Sequence, residues 1–360
     1  MPEPIQSPTL PRMRASEAVG KLANVQALRG IAATMVVFFH ALVYFFSFPV
    51  NVPMPRWASF GASGVDVFFV ISGFVMVYVT RNRFGSFAAQ GRFLLDRVLR
   101  IYPFYWVATL PVIVACVLFP KLTFISLNGG TLLDSLLLLP QKDFPLLRVG
   151  WTLVHEMYFY IVFSFFLLGK REGLVRKLCV WALLVGCASL FLPAPWLEIP
   201  WVHLASNPLT LEFIAGCFLG LIVWPKGFRH GPLLLVCGFA LLWLGTLTMP
   251  FPPMEPGCMR HLYLGLPSIF IVGVALAMEN NARTLHGAWL QRLGDASFQI
   301  YLWHVTVISA VSRASLKLPI PNVLRLCLTI TCALTVGYLV YWWIEKPLRK
   351  LTKRWLASKA

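Results

Sequence analysis

The chain has 360 residues, of which 58% are hydrophobic and only 12% charged, with a mean hydropathy of +0.73. That composition excludes a water-soluble globular protein and places the chain among polytopic membrane proteins. The net charge of +17 does not point to nucleic acid, because the cations are spread over alternate connections with no basic stripe interleaved with aromatics; positive-inside loops and anionic lipid headgroups account for them.

Residues 1–24 are polar and carry Pro2, Pro4, Pro8 and Pro11, which reads as a flexible cytoplasmic tail. They lack the apolar core and cleavage site of a secretory signal, so the first apolar run acts as an uncleaved anchor. Ten apolar runs follow, at 25–46, 59–79, 102–119, 150–168, 174–192, 208–224, 231–248, 261–278, 293–311 and 323–344. They predict an all-α polytopic membrane protein of about ten transmembrane helices. Run 208–224 is short and carries Glu212, and the stretch Thr131–Leu139 is too short to cross, so it lies at the interface or re-enters. With the N-terminus inside, 22 of the 31 Lys and Arg fall on the cytoplasmic side and 7 outside. That bias predicts N-in and C-in.

Residues 25–347 read as one transmembrane domain without a visible internal repeat, and 348–360 as a basic cytoplasmic tail at the inner leaflet. The eight cysteines are scattered with no CxxC pairing. Neither a disulfide framework nor a zinc site is indicated, and no metal is expected.

Four polar clusters interrupt the apolar runs. In the first run Arg29 and His40 are eleven residues apart, which on a helix returns to within about 20° of the same face after a rise of roughly 16 Å. Ionisable groups at such depth mark a functional path by default, the alternative being a histidine bonded to a neighbouring helix. The second run carries Asp66 and Ser72 among glycines that permit close helix approach. The fourth opens with Trp151-Thr-Leu-Val-His-Glu-Met-Tyr-Phe-Tyr160, where Glu156 and Tyr160 share a face while the adjacent His155 points about 100° away. In the ninth, Ser297, Tyr301 and His304 form one stripe, with His304 at a depth comparable to His40. No His pair at metal spacing occurs, so proton chemistry is favoured over zinc. Ahead of the third run, Arg97 and Arg100 stand one turn apart, either as a phosphate grip or as ordinary positive-inside anchors.

Taken in order, these segments resemble the acyltransferase 3 family of membrane enzymes that O-acylate cell-envelope glycans. The resemblance spans about residues 24–347. It is carried by Arg29 with ten residues before His40, Gly64-Val-Asp-Val-Phe-Phe with Ser72-Gly-Phe, and Arg97-x-x-Arg100-x-Tyr-Pro. It continues through Trp151-x-Leu-x-x-Glu156-x-x-Phe-Tyr, Phe213-x-x-Gly216-x-x-x-Gly220, Ser297-x-x-x-Tyr301-Leu-x-His304 and Glu345-Lys-Pro347. Phe298 departs from the Tyr of many members. The resemblance implies an enzyme of the bacterial inner membrane with no bound cofactor. It would move an acyl group, usually acetyl, from cytoplasmic acyl-CoA to a sugar hydroxyl.

In those terms Arg29 and His40 match the residues regarded as essential, and Arg97 and Arg100 the motif linked to the acyl donor. Glu156 would assist as a catalytic group, with Asp66, Ser72, Tyr160, Ser297, Tyr301 and His304 lining the cavity. His40 would act as base or as a transient acyl carrier. No esterase-like extracytoplasmic domain follows the last run. The expected acceptor is therefore exopolysaccharide, lipopolysaccharide or a lipid-linked oligosaccharide ahead of peptidoglycan. The rival reading is a proton-coupled glycan or lipid exporter with His40, Glu156 and His304 as its relay. A noncatalytic membrane scaffold ranks last, since it leaves the polar clusters unexplained.

Overall fold

The computed structural model describes residues 22–119, 129–223, 231–249, 260–280 and 287–358. The expected N-terminal tail lies outside these up to residue 21. All regular structure among the described residues is helical. The longer elements are α1 (Ala23–Phe45), α2 (Gly64–Thr80), α3 (Phe87–Leu118), α4 (Gly129–Leu136), α5 (Gly150–Phe166), α6 (Leu174–Phe191), α7 (Pro200–Ser206) and α8 (Leu209–Phe218). They continue with α9 (Gly231–Thr248), α10 (Leu266–Asn280), α11 (Ala288–Ser315), α12 (Asn322–Val340) and α13 (Lys346–Ser358).

Eight helical stretches among the described residues are long and apolar enough to cross a membrane. The two further expected spans are helices too, but fall short of that measure. α5 has 17 residues, and α11 carries Arg292, Asp295, Gln299, His304 and Arg313 among its 28. The connection 80–101, between the second and third apolar runs, is helical from Phe87. The Ser86 hydroxyl caps it by accepting from the Ala89 amide at 3.1 Å. Phe93, Arg97, Ile101 and Phe104 then bury one stripe at helical spacing, which turns Arg97 inward. The basic segment after 347 is also helical, as α13.

α1 and α11 form the most extensive helix pair, and α12 packs against both. The backbones meet where Gly294 lies against Gln26: a Cβ on Gly294 would stand 1.9 Å from the Gln26 carbonyl oxygen. α2 and α8 approach as closely, through Gly73 and Gly216. Both crossings hold site-bearing helices in register. Gly294→Ala is expected to cost about 1–3 kcal/mol or more by overpacking. A lower melting temperature in detergent checks this; an unchanged one contradicts it.

The start of α1 is tied to the end of α10. Glu279 accepts from the amides of Ala23 and Asn24 at 2.8 and 2.6 Å, placing a carboxylate at a helix N-terminus. The Thr131–Leu139 stretch forms α4 and a turn with Leu138 at φ 54°. Its free carbonyls are satisfied from α3: Tyr102, Tyr105 and Trp106 donate to Leu137, Ser135 and Leu136 at 2.8, 2.8 and 2.9 Å.

Candidate active site

α1, α2, α3, α5 and α11 surround a cavity of about 780 Å³ whose lining includes Arg29, Ser72, Arg97, Arg100, Glu156, Tyr160, Ser297 and Tyr301. Arg97 is buried at 8% exposure with its guanidinium between the rings of Phe93 and Tyr160, 5.6 and 5.7 Å from their centroids. Its Nε and Nη1 have no hydrogen-bond partner among the described residues. Leaving such donors unpaired is costly in a buried site, so they call for an acceptor from outside the chain, either water or a ligand. Opposite the guanidiniums, Glu156 accepts hydrogen bonds from Tyr160 and, at 3.3 Å, from Ser72. Three guanidiniums against one carboxylate leave the cavity net cationic. Arg349 of α13 and buried Glu345, paired at 2.5 Å, both act electrostatically on Arg29, in opposite senses.

A second cavity, of about 1370 Å³, is lined by His40, Trp151, His155, His203, Asn207, Arg260 and His261 among others. Apolar side chains such as Val36, Phe39 and Leu204 form most of its wall, and the imidazoles, amide and cations supply the polar points at which a hydroxylated molecule would bond. Val65 and Tyr301 line both cavities and so form the wall between them. The Tyr301 hydroxyl is held by Thr152 Oγ1 at 2.7 Å and by the Val149 carbonyl at 3.2 Å. Glu156 faces the arginine cavity and its neighbour His155 the other, as the helical turn between adjacent residues demands.

The residues expected from the sequence thus divide three ways. Arg29, Arg97, Arg100, Glu156, Ser72, Tyr160, Ser297 and Tyr301 meet in the first cavity, and His40 in the second. Asp66 and His304 line neither cavity. His304 is fully buried behind His40, with Nε2 3.2 Å from His40 Nδ1. Asp66 is fully buried and pairs with Arg260 at 2.8 Å, as a buried carboxylate calls for a cation. Ligand atoms of Asp66, Glu212 and His261 come within 4.8 Å of one another, a grouping not foreseen from the sequence, and Arg260 supplies positive charge beside it. Also unforeseen were Arg349, Thr152, His203 and Arg260. The Glu345-Lys-Pro347 motif adjoining Arg349 was the one available signal.

A family described as an acyltransferase domain matches residues 22–342. The chain belongs to the acyltransferase 3 family. It is 33% identical over 306 residues to the exopolysaccharide production protein ExoZ of Rhizobium meliloti, covering 80% of this chain and 89% of that protein. It is 28% identical to the acyltransferase MdmB of Streptomyces mycarofaciens, over 81% of this chain and 80% of MdmB. The peptidoglycan O-acetyltransferase OatA of Listeria monocytogenes is 24% identical over 91% of this chain, which spans 56% of OatA's length. No solved structure matches the chain. The protein is therefore a membrane acyltransferase rather than the exporter that intramembrane histidines alone would also have allowed.

Proposed function

We propose that this acyltransferase moves an acyl group, in the first place acetyl, from acyl-CoA to a sugar hydroxyl of an exopolysaccharide or its lipid-linked precursor. The observation that carries the donor assignment is the buried, half-unpaired Arg97 guanidinium in a cavity shared with Arg29 and Arg100. Planar guanidiniums suit the phosphate oxygens of a coenzyme bidentately. The excess of Lys and Arg in the connections predicted to be internal supports a cytoplasmic mouth for that cavity. The exopolysaccharide acceptor is supported by the similarity to ExoZ across most of its length.

In this reading the thioester carbonyl comes up the arginine cavity to the Val65–Tyr301 wall, while the sugar occupies the second cavity beside His40. His40 takes the hydroxyl proton, the oxygen bonds to the acyl carbon, and the carbon–sulfur bond breaks. The departing thiolate takes up one proton, giving ester and free CoA thiol. Glu156, held by Ser72 and Tyr160, balances the guanidiniums and orients the donor.

Membranes containing the protein, incubated with labelled acetyl-CoA, are expected to place label in envelope polysaccharide. No label in any polysaccharide overturns the reading. Arg349→Ala is expected to raise KM for the acyl donor about two- to fivefold with kcat unchanged, as for a partly exposed charge. A steady-state titration of acyl-CoA checks it.

A further inference from the structure

Half-buried His40 of α1 and fully buried His304 of α11 are close enough to fix each other's protons. His304 Nδ1 lies 2.6 Å from the Tyr301 carbonyl oxygen. A carbonyl only accepts, so the proton of His304 sits on Nδ1, and the lone pair of the neutral ring is on Nε2. That Nε2 is 3.2 Å from Nδ1 of His40, which is also 3.0 Å from the Val36 carbonyl oxygen. His40 Nδ1 thus faces two acceptors and must carry the hydrogen. With Nδ1 protonated, the lone pair of neutral His40 is on Nε2, and His40 lines the acceptor cavity. The opposite assignment would set the bare Nδ1 of His40 against the Val36 oxygen, two lone pairs facing each other without a proton.

We propose that His304 is a positioning residue: it shares the His40 Nδ1–H with the Val36 carbonyl, holds the His40 ring in place and so keeps the unprotonated Nε2 of His40 directed at the acceptor hydroxyl. This rests on the reading of His40 as the base. His304 cannot take that part itself, being fully buried and lining neither cavity. Its ring stands at a centroid distance of 4.8 Å from that of His40, across the α1–α11 pair. The arrangement follows the logic of a base whose second nitrogen is oriented by a third group. Here the third group is a neutral imidazole, which adds no second buried charge to the membrane interior.

The test compares His304→Leu with His304→Gln, alongside His40→Ala, by labelled acetyl transfer in membranes and by tautomer measurement. Leucine removes the acceptor; glutamine retains a carbonyl oxygen near the position of Nε2. His304→Leu is expected to lower kcat about a hundredfold, within the range of positioned proton transfer. KM for acyl-CoA stays unchanged, and His304→Gln recovers at least tenfold of the loss. In wild-type protein labelled with nitrogen-15 at histidine, the signal lost on His40→Gln is expected to report protonated Nδ1 and unprotonated Nε2. Wild-type kcat in His304→Leu overturns the proposal, as do equal losses in both variants. A wild-type His40 protonated on Nε2 also overturns it, even if neither His304 variant folds. Retained activity in His40→Ala instead overturns the underlying reading of the base, so the two failures are distinguishable.

Discussion

His40→Ala is expected to abolish polysaccharide acylation while leaving the protein in the membrane at wild-type abundance. His40 is half-buried at a cavity wall rather than in the packed interior, so truncating it opens space toward the cavity and does not remove a core contact. Loss of a positioned base costs typically 10²–10⁴-fold, enough to reduce label incorporation to background. His40→Gln is expected to fail equally, because an amide retains hydrogen bonding but cannot take the proton. Acyl-CoA binding should be nearly unchanged in both, since His40 does not line the arginine cavity. Quenching wild-type enzyme during turnover addresses the route. His40 lies on the acceptor side of the Val65–Tyr301 wall, which favours direct transfer and predicts no label on the protein; a labelled histidine would indicate an acyl carrier instead. Full activity in His40→Ala would remove the assignment.

Much of this site was legible because membrane sequences expose their exceptions: an ionisable residue in an apolar run stands out. Arg29, His40 and Glu156 were found in that way, and the order of motifs linked them to Arg97 and Arg100. The count of spans was less plain. α11 carries enough polar residues to lower its hydropathy, and α5, with 17 residues, is too short to be marked by length. What stayed hidden depends on packing between distant segments. Depth along α1 and α11 placed His40 and His304 at one level, but only the packing of the two helices determines that they touch and that His304 lies behind. Asp66 could be recognised as needing a partner, yet Arg260, 194 residues away, could not be named. The inward turn of Arg97 was within reach, since Ser86 is an ordinary N-cap and Phe93, Arg97 and Ile101 follow helical spacing.

Arg97→Ala is expected to have the second-largest effect, confined to the acyl donor. Two guanidinium nitrogens of Arg97 are buried with no partner among the described residues, so a bound anion would gain charge-assisted hydrogen bonds there. Hydrogen bonds to charged groups contribute about 1.5–3 kcal/mol, which corresponds to an increase in KM for acyl-CoA of about ten- to a hundredfold. Arg97→Lys is expected to recover little, because a point ammonium replaces a planar fork stacked between Phe93 and Tyr160. Acceptor dependence should be unchanged, as Arg97 does not line the histidine cavity. Arg97→Ala combined with Arg100→Ala should reduce acylation to background at any attainable acyl-CoA concentration. Direct binding of radiolabelled acyl-CoA to purified protein separates this from a folding defect: Arg97→Ala protein that elutes and melts like wild type must bind the donor more weakly. If it binds acyl-CoA as tightly as wild type, the arginine cavity does not grip the coenzyme, and its unpaired nitrogens answer to some other anion.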